Sequence, residues 1–445
     1  MVALIKATQL LLSLSILVVL HELGHYFAAR KFGARVEKFY LFMNPWFSLY
    51  KRKIGETEWG IGWLPLGGYV KISGMVDESM DTEQLKQPAQ PWEFRSKPAW
   101  QRLIIMLGGI IVNLITGFAI YAMVLFVWGR DFLPADQVPY GIEVDERVES
   151  LGFQDGDHIL RVNGETPESF EAIRRTLFFD QVEEVVVRRG AEEVTLTFEQ
   201  DLGQFFVDSA IRMPFGLRVP CVVDTVLPGS PADAAGLRAG DRFVGIDSLP
   251  LIFFGDVSAY LRAHPSDSVL LMVADEAGVQ RVLHAATDST GALGFLTQDP
   301  SKMAEFQSEH REFSAGEAVV SGFGLAASTL QEYVLSLRFL FSSAGATQVG
   351  SLVTFGSIFA PTWDWELFWR NTAFFSLILA FMNLLPIPAL DGGHVAFLLY
   401  EMVMGRPASD KFLERAQLAG LIFLLTLMAY ALGNDIWRLI TGQFQ

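Results

Sequence analysis

The 445 residues are 51% hydrophobic, with 36 phenylalanines, yet 19% are charged, so the apolar residues must gather in particular stretches rather than fill one soluble core. A formal net charge of −16 excludes the basic footprint that nucleic-acid binding needs. A single cysteine, Cys221, excludes an internal disulfide and any cysteine-rich metal site, and is expected as a small buried hydrophobe in a strand.

From the N-terminus, residues 2–29 form a first apolar stretch that meets the roughly 20 residues a bilayer crossing requires. A cleaved signal peptide is the alternative, but a strong basic leader and a small-x-small cleavage site are both missing. The stretch also ends in His21-Glu22-Leu23-Gly24-His25, which a discarded segment would not need. On a helix, residues four apart stand one above the other, so both imidazoles reach one ion. Zn²⁺ takes such nitrogens and leaves a position for water, and Glu22 stands beside that water to accept its proton. Two helix-capping histidines are the bland alternative; ionisable groups at the end of an apolar helix are costly, however, and usually mark function.

The loop that follows is rich in Lys and Arg, from Arg30 to Arg102, and is expected in the cytoplasm. Within it, residues 59–72 read as strands and a turn. A second apolar stretch covers residues 103–128. The insertion at 131–309 holds more acids than bases and is expected outside, together with both chain ends; four crossings satisfy that parity. Two of its segments, 148–164 and 229–247, echo each other. Each has a Gly-apolar pair, a turn ending in Gly-Asp, then an alternating strand and another turn. With β-rich runs at 183–187, 193–198 and 269–273, this marks a domain duplication rather than a solenoid.

Residues 318–359 are weakly apolar and rich in Gly and Ser, and are expected as an amphipathic or surface-lying helical segment, not a fifth crossing. The third and fourth stretches lie near 368–385 and 418–432. The connection between them carries Arg406, Lys411 and Arg415 and is expected in the cytoplasm. At the end of the third stretch stands Asn383-Leu384-Leu385-Pro386-Ile387-Pro388-Ala389-Leu390-Asp391-Gly392-Gly393-His394. Two prolines one residue apart disrupt a helix, and broken backbone at membrane depth is tolerated where it lines a cavity. Asp391, just beyond the break, is the candidate third ligand, although it also suits a turn before two glycines. Asn383, just before the break, is placed to bond a substrate backbone or a developing oxyanion.

A His-Glu-x-x-His inside the membrane together with Asn-x-x-Pro-x-Pro-x-Leu-Asp-Gly resembles the site-2 protease family of intramembrane zinc metalloproteases, over nearly the whole chain. The resemblance implies one Zn²⁺ per chain held by His21, His25 and Asp391, Glu22 as catalytic base and Asn383 as a substrate-positioning residue. His394 is not a ligand in that pattern. It implies a membrane-associated β-hairpin or small sheet on the cytoplasmic side, with Gly67, Gly68 and Tyr69 near the substrate. A free strand edge there would hold an unwound substrate helix; a hairpin that only anchors its loop is the other reading. The paired segments resemble tandem PDZ domains, with Phe215-Gly216-Leu217 a possible peptide-binding loop; a steric gate that binds no peptide is the alternative.

The expected fold is therefore a polytopic α-helical membrane protein with about four transmembrane helices and two extracytoplasmic PDZ-like α+β domains. The expected divisions are 1–130, 131–212, 213–310, 311–366 and 367–445. By resemblance the location is a bacterial inner membrane, and the substrates are single-pass membrane proteins such as anti-sigma factors or remnant signal peptides. The rival readings are a non-catalytic membrane-anchored PDZ adaptor and a membrane-anchored zincin acting on soluble peptides. The latter would need a further ligand from His158, His264, His284 or His310, which show no motif spacing.

Overall fold

The computed structural model describes residues 1–75, 87–211, 213–341 and 350–441. It divides into two compact units, the first built mainly from residues 1–129 and the chain after 311, the second from 130–311. Four helices in the first unit are long and apolar enough to cross a membrane: Val2–Lys31, Ala99–Trp128, Trp365–Leu384 and Lys411–Ile440 within a helix that begins at Asp410. Each is an apolar run free of proline, and their limits have local causes. The second span starts at Pro98, whose fixed φ suits a helix entry, and stops at Gly129, held at φ 68°. The third starts where the Asp364 side chain accepts the Leu367 N–H, and stops before Pro386. The fourth extends well beyond 418–432 because its ends carry polar residues that composition alone does not assign to a span.

The first and second spans cross at a point of backbone contact between Gly24 and Gly108. The third packs on the second through Leu377, which fills the space left by Gly117. The helix Ala315–Ser336 also lies lengthwise on the second span: Ala326 joins the cluster of Ile120, Tyr121, Ala373 and Leu377, and Phe323 meets Phe118 at 4.8 Å. Gly322 lets the two backbones approach, since a β-carbon there would stand 2.6 Å from the Ala122 Cα. The surface-lying helix expected for this region is thus, over 315–336, a helix applied to the spans. Its Ser314–Glu317 capping box starts it, and its small residues form the contact face.

Between the first two spans the chain forms β1 (Val36–Ile54) and β2 (Thr57–Ile72). Residues 36–41 pair with 68–72 on one side (Tyr40 opposite Tyr69) and with 58–61 on the other (Leu41 opposite Ile61), so the hairpin curls into a small sheet. Phe42 and Trp46, at φ 66° and 74°, mark where β1 bends. At that bend Trp46 and Phe47 stack against Trp63 and remain exposed.

The second unit contains two α+β modules with separate cores. In the first, strands His158–Val162, Glu184–Arg189 and Glu192–Thr197 form an antiparallel sheet beside helix Phe170–Phe179; in the second, Arg242–Ile246, Ser268–Ala274 and Gln280–Ala286 do so beside Phe254–Ala263. The duplication reaches individual residues. Asp157 and Asp241 follow glycines at φ 87° and 85°, and accept the backbone N–H of Gln154 and Arg238. Each is buried in an ion pair, with Arg189 at 2.8 Å and with Arg281 respectively. The cores divide later than residue 212, because Phe215 packs with Phe153 and Phe206 in the first module. Met303 and Phe306 return to that core from the far end of the insertion.

Candidate metal centre

His21 and His25 sit one turn apart near the end of the first span, and Asp391 is the first residue of helix Asp391–Met404. Between the third span and that helix, Pro386 and Pro388 leave a tight turn in which Ala389 takes φ 77°. The turn folds back on its own glycines: a β-carbon on Gly393 would stand 2.7 Å from the Ile387 carbonyl oxygen, and one on Gly392 2.6 Å from that of Leu384. Gly420 of the fourth span lies against Pro388. The Asp391 carboxylate is thereby carried to the two imidazoles. Its Oδ2 lies 3.1 Å from His21 Nε2 and 3.2 Å from His25 Nε2, and the two nitrogens are 3.2 Å apart.

Three donor atoms in such a triangle suit a tetrahedral ion. Ligand bonds of about 2.0–2.1 Å to nitrogen and oxygen give a tetrahedral edge of about 3.3 Å, close to the three observed separations. The donor set also fits, since Zn²⁺ binds neutral imidazole and carboxylate and leaves a fourth position open. The supporting bond at His25 is in place: Nδ1 donates to the Ile105 carbonyl at 2.8 Å, which leaves Nε2 with its lone pair facing the site. Among the described residues this is the one cluster of three His, Cys, Asp or Glu side chains that could hold a metal. His264 and His310 are engaged elsewhere, with the Tyr260 carbonyl and with Asp131.

A cavity of about 640 Å³ opens onto these residues. Glu22, Asn383, Gly67, Gly68 and Tyr69 line it, so the sequence-expected side chains from the first span, the third span and the sheet face one space. The strand 68–72 turns an edge towards it, where the Val70 backbone amide hydrogen-bonds Glu22. Gly68 is required at that edge, because a β-carbon would stand 2.7 Å from both Val18 and the Tyr40 carbonyl oxygen. Tyr69 is held by its stack on Tyr40 and by its hydroxyl, which donates to Asn44 Oδ1 at 2.9 Å. His394 lies on the cavity wall, with its Nε2 2.6 Å from Gln417 Nε2 of the fourth span, and is not among the three clustered donors.

Phe215, Gly216 and Leu217 are placed elsewhere and differently. They form a short strand paired antiparallel with Ile142–Val144, and Phe215 is buried in the first module's core. The segment expected as a possible peptide-binding loop of the second module is a short strand of a two-stranded sheet, and its Phe215 packs in the core of the first module. Two residues of the centre carried no sequence motif. Asn113 of the second span reaches His21, and Gly109, one turn before it, leaves room for both imidazoles, since a β-carbon there would stand 2.6 Å from His21 Cε1. A lone amide inside an otherwise apolar span is the signal that could have singled out Asn113.

The chain is similar to the regulator of sigma-E protease RseP of Escherichia coli, with 29% identity over 96% of this chain and 98% of that protein. It has the same identity, over 96% and 97%, to a protein of Neisseria meningitidis whose name assigns it provisionally as a zinc metalloprotease. The protease RseP of Yersinia pestis is 28% identical over 96% and 98%. The model of peptidase family M50 matches residues 9–427, a range that contains both arms of the metal cluster and everything that links them. This chain therefore belongs to peptidase family M50.

Proposed function

We propose that this chain is a zinc endopeptidase that hydrolyses peptide bonds of membrane proteins within the bilayer, with His21, His25 and Asp391 as metal ligands and Glu22 as general base. The observation that carries this reading is the triangle of His21 Nε2, His25 Nε2 and Asp391 Oδ2, at 3.1–3.2 Å, assembled from helices far apart in sequence. A zinc ion bound there supplies Lewis acidity, which makes water a nucleophile at neutral pH and polarises the scissile carbonyl. Glu22, on the cavity wall beside the ligands, takes the proton from that water and passes it to the leaving nitrogen. Asn383 faces the same cavity and is suited to bond the substrate backbone or the oxyanion.

A peptide bond within a helix is shielded by its own hydrogen bonds, so the substrate must be unwound before attack. The outward edge of strand 68–72, with Gly67, Gly68 and Tyr69, offers replacement partners to the extended chain. The Lys- and Arg-rich loop supports a cytoplasmic position for this sheet, and the acidic second unit an outer one. The echoing modules read as PDZ-like domains acting as a size filter. Their substrates would be single-pass proteins of the anti-sigma type already trimmed outside, or remnant signal peptides, in a bacterial inner membrane. An adaptor that only tethers partners would have no use for the assembled donor triangle.

The test uses purified full-length protein and a single-span substrate. Glu22→Gln should retain one zinc per chain and lose cleavage by about 10²–10⁴-fold. Asp391→Ala should lose both. A folded wild-type protein that binds no zinc, or a Glu22→Gln variant that still cleaves, would end this reading.

A further inference from the structure

The metal centre reaches one residue that the ligand set does not include. Asn113 is wholly buried in the second span, and its side-chain amide lies 3.2 Å from His21 Nδ1. With the amide nitrogen towards the imidazole, Asn113 Oδ1 is a buried oxygen without a hydrogen-bond partner. The backbone at this point is pinned, since Ser376 Oγ of the third span donates to the Asn113 carbonyl at 2.6 Å. The residue therefore cannot leave His21, but its amide can turn.

The chemistry of the ligand decides which way. A histidine that gives Nε2 to a metal is the tautomer that carries hydrogen on Nδ1. An amide nitrogen facing that N–H would set donor against donor, whereas a half-turn about the last torsion brings the oxygen there with no change of shape. His25 already shows this arrangement, with its Nδ1–H on the Ile105 carbonyl. From this geometry we infer that Asn113 is a positioning residue of the metal centre, whose side-chain oxygen accepts the His21 Nδ1–H and fixes His21 as an Nε2 ligand. Gly109, one turn earlier on the same face, leaves the space in which both rings stand. The second span thus supplies an oriented back wall: a main-chain oxygen for one ring and a side-chain oxygen for the other. The inference rests on the reading of His21, His25 and Asp391 as zinc ligands.

The experiment compares full-length wild type, Asn113→Leu and Asn113→Asp for zinc affinity by chelator competition, and for unfolding temperature with zinc removed. The leucine keeps the volume and removes the acceptor; the aspartate keeps an acceptor and removes the donor. Zinc affinity should fall about 10–100-fold in Asn113→Leu and stay within about 3-fold of wild type in Asn113→Asp, as expected for loss and retention of an outer partner of a ligating histidine. The zinc-free unfolding temperatures of folded variants should agree. Wild-type affinity in Asn113→Leu, or an affinity in Asn113→Asp reduced by an order of magnitude, overturns the assignment. If Asn113→Leu does not fold, Asn113→Ala takes its place, with the same loss of about 10–100-fold in zinc affinity expected and wild-type affinity overturning the assignment. A wild-type chain that takes up no zinc removes the parent reading and this one with it, and is distinguishable because it needs no variant.

Discussion

Gly24 of the first span and Gly108 of the second meet backbone to backbone: a β-carbon on Gly108 would stand 2.6 Å from the Gly24 carbonyl oxygen. The contact lies one residue before His25 and one before Gly109, so it sets how close the metal-bearing helix comes to its back wall. Gly108→Val should push the helices apart and destabilise the first unit by about 1–3 kcal/mol, as overpacking does. Zinc affinity should fall with it, because the Ile105 and Asn113 partners of the two imidazoles move away together. Thermal unfolding and chelator competition on the same sample check both effects. A variant as stable as wild type and with unchanged zinc affinity would show that the close approach is not required.

Much of the centre is legible in the sequence because its first half is local. His21 and His25 are four apart on a helix, and that spacing alone predicts a shared ion. Asp391 is legible through the prolines that precede it, which announce a broken helix, but its arrival at the imidazoles depends on three glycine contacts from two helices. Asn113 has no pattern around it, since its partner lies on another span. Phe215 misled for the same reason: its strand pairs with residues about seventy positions earlier, and short-range signals carry no register for such long-range pairing. Helix 315–336 was ambiguous because Gly322 and Ala326 look like weak hydrophobicity in sequence, while in three dimensions they form a close-packing face.

The edge strand makes a separate prediction. Val70 pairs with Phe39 in the sheet while its amide reaches into the cavity at Glu22. Proline at an edge position removes an outward N–H without breaking the inner ladder. Val70→Pro should therefore leave zinc binding intact and lower kcat for a membrane substrate by about 10-fold, the worth of the one hydrogen bond lost at the Glu22 carboxylate. A loss of zinc affinity with kcat unchanged would mean that this amide serves the metal ligands and not Glu22.

Cys221 tests the core of the second module. It is fully buried, and burial pushes its thiol up to about 12, because the thiolate would lose its hydration. The native thiol should therefore react with maleimide or a disulfide reagent at pH 8 only as fast as the module opens. The linkage has a definite sign. Above pH 9 the unfolded chain releases this proton while the folded chain keeps it, so the thiol's contribution to stability is whole below pH 9 and declines as pH climbs towards 12. Cys221→Ala should remove that part of the alkaline decline. Rapid labelling of the native protein at pH 8 would contradict the burial.

The long segment of the second unit, residues 130–311, begins and ends at one clasp. Strand Arg130–Phe132 pairs antiparallel with Glu309–Arg311, and His310 meets Asp131 at 2.7 Å. The two ends of the insertion are thus already side by side, and a short glycine-containing turn from Phe132 to Glu309 can replace everything between them as a hairpin. The first unit keeps its own cores and the whole metal centre, so the shortened protein should fold, retain zinc and still cut a substrate whose outer domain has been removed. If the second unit is a size filter, the shortened protein should also cut the untrimmed substrate, which the full-length chain should refuse. Equal refusal by both proteins, with the trimmed substrate cut normally, would remove the filter and leave the two modules in need of another role.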